Sequence, residues 1–409
     1  MMIIKLLKNA VQTSINTISK KVTQFMVKPK KPAFPLADRL LADAFQLGQL
    51  PSPTEQENER ASFIVERLTA MKLDYLVDEA GNILSFLHSS DETDISREPL
   101  LLFTRLVSER WNPLESLGKL GLTHAKGAGL ADALGPAALL SIAEAYAEGR
   151  LALERDLCLF FSALHSDDPV ETAFQTVIDQ FRCRPCAAFG VRGFTLGLLT
   201  SHTLGSCRVE VTFTIDEKTK KAKHKTNANA IVGALIDLTF QFQTTAESYG
   251  SDLNFYFRHI EARGAFDTTP SEGVLELELE SVNGELLQLA LEKIKHVAES
   301  SVYAGVKNAL RVIASTPPGD PVLNEAYAKI ILEIMKELKI SATEEAKPDP
   351  ASFLSAFGIP ALSVGITSGR AGLSRDTVEI ASVERGRQLL EQLIIRAGQV
   401  KDEESPNAQ

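Results

Sequence analysis

The chain is 409 residues long, which is more than one ordinary domain holds and predicts two domains. Its composition, 44% hydrophobic and 23% charged, is that of a globular protein, and its net charge of -10 argues against a nucleic-acid partner. Four cysteines provide no disulfide framework and favour a reducing compartment, so we expect a cytoplasmic protein. Cys183 and Cys186 have thioredoxin-like spacing, but they lie between a predicted helix and a predicted strand, and we expect them to be structural.

The N-terminal segment, residues 1–35, differs from the rest of the chain in charge. Residues 1–36 contain seven lysines and no acidic residue, and apolar residues recur at helical spacing from Val11 to Phe25. A basic amphipathic helix can lie on an anionic membrane or in a partner's groove, and packing on its own domain is the simpler alternative. We expect residues 1–31 to be a tether outside the folded core, followed by a proline-rich linker. No apolar run is long enough to predict a membrane-spanning helix.

From residue 36 onward, helices and strands alternate. The sequence predicts two helices, a hairpin around Asp78–Asn82, a buried strand at 99–103, and the turn Gly127-Ala128-Gly129-Leu130-Ala131-Asp132 before a helix at 136–146. A strand at 156–163, a helix at 169–181 and a strand at 187–191 follow. This alternation predicts an α/β fold, with a mostly parallel twisted sheet and helices on both faces.

A second unit is predicted between residues 204 and 314. Its strands and helices follow the order β-α-β-β-α-β of the ferredoxin-like topology. The first domain then resumes with helices at 323–338, 351–357 and 383–397, and with a buried strand after Gly358. The predicted domains are therefore a discontinuous α/β domain (36–203 and 315–398) and an inserted α+β domain (204–314). An acidic tail, 399–409, is expected to be disordered.

This layout resembles the dizinc exopeptidases and amidohydrolases of the carboxypeptidase G, peptidase T and succinyl-diaminopimelate desuccinylase type. The resemblance covers residues 36–398 and rests on the element order, on the turn that ends at Asp132, and on the phrases Asp78–Asn82 and Asn229-Ala230-Ile231. It implies a zinc-exopeptidase-like α/β domain with two zinc ions held by histidines and carboxylates, and a glutamate that activates the bridging water. It also implies that the inserted domain is a substrate-binding lid that dimerises.

Most ligand positions that the resemblance implies carry other residues. By its register, Asp132 is the only retained metal-ligand position, and the other positions are occupied by Arg105, Val107, His165, Ser166, Arg192 and Leu373. His165 and Ser166 stand where the general base and its neighbouring ligand would be. Arg105 and Arg192 carry permanent positive charge and donate hydrogen bonds only, so they would repel a pair of divalent ions.

The lid positions that hold substrate in the family are also changed. The resemblance places His224, Asp267 and Glu280 there, and Glu280 replaces an expected arginine. A carboxylate at that position would repel the substrate carboxylate that an arginine binds. The resemblance therefore points to a loss of function at both halves of the site.

Three functions remain open at this point. We favour a catalytically inactive pseudoenzyme that serves as an interaction or structural scaffold, without a cofactor. The alternatives are a metal-dependent peptidase or amidohydrolase with a zinc site rearranged around Asp132, His124, His165, Asp167 or Asp168, and an anion or small-molecule binder that uses Arg105 and Arg192.

The favoured hypothesis carries two further expectations. One is a protein partner, or a homodimer that forms through the lid. Peripheral membrane contact through residues 1–31 is an additional possibility that the tether allows. The second is that Arg105 pairs with Asp132, with Arg192 nearby, so that fixed guanidinium charge replaces the charge of the metal.

Overall fold

The computed structural model describes residues 36–50, 58–89, 98–106, 118–163, 174–215, 229–263, 270–301, 303, 305–372 and 375–400. The helices in these residues are α1 (Leu36–Gln49), α2 (Asn58–Met71), α3 (Leu130–Ala147), α4 (Ala230–Glu247), α5 (Gly284–Ser300), α6 (Pro321–Glu337), α7 (Ala351–Ser355) and α8 (Ile380–Gly398). The strands are β1 (Asp74–Val77), β2 (Ile83–Leu87), β3 (Leu100–Arg105), β4 (Lys119–Leu120), β5 (His124–Gly127), β6 (Leu157–Ser162), β7 (Ala187–Phe194), β8 (Leu198–Thr200), β9 (Thr203–Ile215), β10 (Asn254–Arg263), β11 (Glu272–Ser281), β12 (Val306–Thr316), β13 (Thr343–Glu344), β14 (Lys347–Pro348), β15 (Ala361–Thr367), β16 (Gly369–Arg370) and β17 (Asp376–Glu379).

The central sheet has the strand order β1-β2-β6-β3-β7-β15-β8-β13. Its middle strands β6, β3, β7 and β15 run parallel to one another, which confirms the predicted mostly parallel sheet. These strands are nearly continuous apolar runs because both faces of the sheet are covered. Leu102 packs in the core shared with α1, α2, α3, α6 and α8, whereas Leu101 and Phe103 pack in a smaller core with α7 on the opposite face.

The inserted unit forms its own sheet with the strand order β10-β11-β9-β12. All three pairings are antiparallel, and β14 adds to β9 in parallel. With α4 and α5 between its strands in the chain, this is the predicted β-α-β-β-α-β arrangement. On β11, residues Leu275, Leu277 and Leu279 pack in one core with apolar side chains of α4 and α5, so the alternate residues of this strand lie on the other face of the sheet.

Two sequence predictions were wrong in detail. The helix expected from Pro136 begins at Leu130, and Pro136 lies inside it, so Asp132 belongs to the first helical turn and not to the turn before the helix. The sequence predicted no strand between residues 369 and 379, where β16 and β17 form and join β5 and β4 in a small sheet of order β16-β17-β5-β4. Both errors have the same cause, since the contacts that form these elements join residues about 250 positions apart.

Several predictions lie outside the described residues. They concern the N-terminal segment 1–35, the tail 401–409, and the site positions Val107, His165, Ser166, Asp167, Asp168, His224, Asp267 and Leu373. The helix predicted at 169–181 is described only from residue 174, where it includes one π-helical turn, Thr176–Gln180. No helix among the described residues combines the length and the apolar character needed to cross a membrane.

Candidate functional site

The described ligand positions lie at one edge of the central sheet. Arg105 is the last residue of β3, and Arg192 is two residues before the end of β7. Because β3 pairs in parallel with both β6 and β7, the carboxyl ends of these strands lie side by side. Asp132 lies in the first turn of α3, which packs against β3 and β7. The fold therefore brings these three positions to the edge where parallel α/β sheets usually hold their sites.

The start of α3 is assembled from three separate parts of the chain. Gly129 precedes the helix in a left-handed conformation, with φ of 64°, which a side chain would strain. The Ala131 N–H donates to Oδ2 of Asp376 at 2.9 Å. Gly193 of β7 lies so close that a Cβ there would stand 2.0 Å from the carbonyl oxygen of Ala131. These contacts hold the half-buried Asp132 at the positive end of the helix, where its negative charge is favoured.

Arg60, which the sequence analysis did not single out, provides a buried cation that acts on Asp132. Arg60 lies on α2 with 0% of its surface exposed, and its Nη1 donates to the carbonyl oxygen of Leu106 at 2.7 Å. Leu106 directly follows Arg105, so the guanidinium lies at the end of β3, where the resemblance implies two metal ligands. Burial lowers the pKa of Arg60 from 12.5 to about 10, and the charge of Asp132 opposes that change. Arg60 is therefore still protonated at neutral pH.

Arg192 makes a structural contact with the loop before α7. Its Nη2 forms an ion pair with Oδ2 of Asp349 and donates to the carbonyl oxygen of Pro348 at 3.3 Å. The Asp349 side chain is 1% exposed, and its other oxygen accepts a hydrogen bond from the Ala351 N–H at 2.8 Å. The guanidinium thus neutralises a buried carboxylate and ties β7 to α7.

Arg105 is exposed at the end of β3. Its pairing with Asp132 stays a prediction, and the buried Arg60 also exerts a favourable electrostatic effect on Asp132. Among the cations expected at this edge, Arg192 is bound to Asp349, which the sequence reasoning did not anticipate.

His124 lies away from the start of α3. It is the exposed first residue of β5, and its Nδ1 is 2.9 Å from Oγ1 of Thr123. In the pairing of β5 with β17, His124 stands opposite Glu379, three residues from the pair of Gly127 with Asp376 that leads into α3. Three residues of strand span about 10 Å. Within the described ranges, no three His, Cys, Asp or Glu side chains are grouped so that they could hold one metal ion.

Glu280, the described lid position, lies in a buried acidic pair on β11. Glu278 and Glu280 are each 5% exposed, on the sheet face opposite α4 and α5. Glu278 accepts hydrogen bonds from Nε of Arg208 at 3.0 Å and from Nε of Arg258 at 2.7 Å. Glu280 has weaker partners, Asn254 at 3.5 Å and Arg258 at 3.9 Å. Burial and the neighbouring charge of Glu278 raise the pKa of Glu280.

The described residues do not fit the zinc pair that the resemblance implies. A dizinc site needs several histidine or carboxylate ligands around each ion. Of the described ligand positions, Asp132 alone is a ligand type, and the fully buried guanidinium of Arg60 acts on it electrostatically. At the other two positions, Arg105 and Arg192 supply positive charge.

The fold and the position of this edge define a class of structure, the zinc-exopeptidase fold with an inserted α+β domain. Solved structures with this fold match nearly the whole chain. They include a tripeptidase from Staphylococcus aureus subsp. aureus Mu50 (TM-score 0.68, 15% identity, 89% of this chain and 99% of that chain) and the aminopeptidase PepT from Bacillus cereus (TM-score 0.64, 11% identity, 88% and 98%). A third is the YXEP protein of Bacillus subtilis, described as a dinuclear metal-binding peptidase of the M20 family (TM-score 0.60, 14% identity, 88% and 98%).

These likenesses confirm the predicted fold and the resemblance to the peptidase and amidohydrolase family at the level of the fold. The chain matches no model of a known protein family, and a search of curated protein sequences gives no match either. Identities of 11 to 15% leave the site to be judged from its own residues.

Proposed function

We propose that this chain is a peptidase-like protein that has lost dizinc hydrolysis and acts as an interaction scaffold. The observation that carries the proposal is the buried guanidinium of Arg60, whose charge acts on Asp132 at the position of the metal-bridging carboxylate. A carboxylate held at this position needs a positive partner, because an unpaired charge in a partly buried site is costly. In the working enzymes the metal ions provide that charge, and here a side chain of the protein provides it.

The fixed cation also opposes metal binding. A zinc ion at Asp132 would have to approach a guanidinium that stays protonated up to a pKa of about 10. Because Arg60 is fully buried, little water screens the repulsion between the two cations. Arg60 cannot move away without breaking its hydrogen bond to the Leu106 carbonyl.

The remaining described positions support the same proposal. Arg192 holds Asp349 at the base of α7, so a small anion in the cleft would have to compete with a buried carboxylate for this guanidinium. This makes the anion-binding alternative less favourable. In the lid, Glu280 places a carboxylate where the family would need an arginine for the substrate.

We further propose that the lid provides a contact surface. On α4, Ile236 and Phe240 are one helical turn apart and are 66% and 71% exposed. Exposed apolar side chains in neighbouring positions are typical of interaction surfaces. A second copy of the chain is the partner we propose. Light scattering should give a dimer mass for the full chain and a monomer mass for Phe240→Lys, and a monomer mass for both would remove this part of the proposal.

The hydrolytic part of the proposal is tested with substrates. The purified full chain should release no product from N-acyl amino acids, dipeptides or tripeptides, with or without added zinc. A peptidase of the same fold, assayed in parallel, is the positive control. Hydrolysis that a chelator abolishes and that Asp132→Asn also abolishes would show a working metal site and would overturn the proposal.

A further inference from the structure

Two buried cysteines lie in contact in the small core on the α7 face of the central sheet. The sulfur atoms of Cys158, on β6, and Cys183, which follows the π-helical turn, are 3.4 Å apart. The two residues are 2% and 5% exposed and belong to the small core that also contains Phe103, Phe160 and Phe174. Both are free thiols. A sulfur pair at this distance is close enough to form a bond with a small movement, because a disulfide has an S–S distance of about 2.05 Å.

The sulfur contact of Cys183 is not with Cys186, its neighbour in the thioredoxin-like spacing. Cys183 and Cys186 have thioredoxin-like spacing and a predicted structural role, but the structure brings Cys183 into sulfur contact with Cys158, 25 residues earlier in the chain. Cys186 is half-buried, and its N–H donates to the carbonyl oxygen of Pro99 at 2.9 Å. The contact with Cys158 therefore gives Cys183 a possible reaction partner, which the predicted structural role does not include.

We propose that Cys158 and Cys183 form a reversible redox pair that peroxide converts to a disulfide. The geometry carries this proposal: the two sulfur atoms are in contact, and they come from a strand and from a segment that is not part of the sheet. The proposal does not depend on the hydrolytic state of the former site.

The two thiols have different roles in the oxidation. The hydrogen bond with Cys158 lowers the pKa of Cys183, although burial raises it, and the same contact raises the pKa of Cys158. Cys183 is also the more exposed of the two, so we assign it as the first thiol to react with peroxide. Its sulfur attacks one oxygen of hydrogen peroxide, which breaks the O–O bond and gives a sulfenic acid and one water after protonation. The Cys158 sulfur then attacks the sulfenic sulfur and displaces its oxygen as a second water, so two thiols lose two electrons and peroxide gains them.

The bond would restrain the segment that joins the two cysteines. This segment carries Phe174, whose ring packs edge-on against Phe103 of β3 at 5.0 Å between centroids. Oxidation would therefore fix the described residues 174–182 against β6 and β3. A bridge that closes a loop of this length stabilises a fold by restricting the unfolded chain.

The test uses the full-length protein and hydrogen peroxide. After oxidation, remaining thiols are blocked with iodoacetamide, and the protein is digested and analysed by mass spectrometry without reductant. We expect a crosslink between the peptides of Cys158 and Cys183, lost on treatment with dithiothreitol, and Cys207, which lies in the separate core of the inserted domain, should stay reduced. Cys186→Ser should retain the crosslink and Cys183→Ser should lose it.

The result that overturns the proposal is a Cys183–Cys186 bond, or oxidation of Cys186 while Cys158 remains reduced. Both results can be read from the wild-type chain, so the test does not depend on the folding of a variant. The thermal midpoint of the oxidised protein should rise by roughly 5 °C over that of the reduced protein. An unchanged midpoint in protein that carries the crosslink would contradict the proposed restraint.

Discussion

The interaction of Arg60 with Asp132 can be measured by a double-mutant cycle. Each pKa unit corresponds to about 1.36 kcal/mol, so a pKa lowered from 12.5 to about 10 means that holding Arg60 charged inside the protein costs the fold about 3 kcal/mol. Arg60→Met removes this cost but also removes a charged hydrogen bond to Leu106 of about 1.5 to 3 kcal/mol. The two changes nearly cancel. We therefore expect the unfolding free energy of Arg60→Met to lie within about 1 kcal/mol of the wild-type value. Loss of a buried ion-pair partner, by contrast, usually costs about 3 to 5 kcal/mol.

Asp132→Asn should behave differently in the two backgrounds. With Arg60 present, the substitution leaves a fully buried cation without its counter-charge, and we expect a loss of about 2 to 3 kcal/mol in unfolding free energy. With Arg60→Met, only the favourable charge at the start of α3 is lost, which is worth about 0.3 to 1 kcal/mol. That helix contribution is common to both backgrounds, so it cancels in the cycle and leaves a coupling of about 2 kcal/mol.

The assay is equilibrium unfolding in urea at low salt, because guanidinium chloride would screen the charges under study. The same cycle with Arg105 in place of Arg60 tests the pairing predicted from the sequence. A coupling between Arg60 and Asp132 below about 0.5 kcal/mol, the additivity expected of independent sites, would refute the reasoning.

Three further predictions concern stability and membrane contact. Arg192→Met should lower the unfolding free energy by about 2 to 3 kcal/mol, because it leaves the Asp349 carboxylate buried without a cation. The matched change Arg311→Met, in an exposed pair with Glu210, should cost about 1 kcal/mol or less. Equal losses for the two variants in urea unfolding would contradict this prediction. Burial raises the pKa of Asp43 from 3.8 to about 6 against the attraction of Arg67, so its contribution to stability is complete below pH 3.8 and is lost as pH rises through 6. Relative to Asp43→Asn, the wild type should therefore lose about 3 kcal/mol between pH 4 and pH 7, and parallel pH profiles of the two proteins would exclude this role of Asp43. The full chain should float with anionic liposomes and a chain that begins at Pro35 should not, and equal flotation of both would leave a protein as the target of the N-terminal segment.

The sequence predicted the fold because its signals are local. Apolar runs such as Leu100–Phe103 and the alternation along β9 and β11 are set by the burial of nearby side chains, and the order of elements then restricts the topology. The small sheet of β4, β5, β16 and β17 has short strands of two to four residues, and its central pairing joins segments about 250 residues apart. Such strands carry too little periodicity to be predicted.

Arg60 and Asp349 were missed for a different reason. Neither residue occupies a ligand position that the resemblance implies. For Arg60 a usable signal was present, because Ile64 and Leu68 follow at intervals of four residues, and all three side chains are fully buried on one face of α2. A charged residue in line with an apolar helix face indicates a buried cation that needs an anion. Asp349 gave no comparable signal, since its contact with Arg192 is set by tertiary packing alone.

Metal content tests the central claim most directly, namely that the guanidinium charge of Arg60 has replaced the metal charge at Asp132. The purified full chain is incubated with excess zinc, dialysed against metal-free buffer and analysed by mass spectrometry for bound metal, with a dizinc peptidase of the same fold treated in parallel. The account predicts far less than one zinc ion per chain, and the same low value for Asp132→Asn. Near-stoichiometric zinc in the wild type that is lost in Asp132→Asn would contradict it.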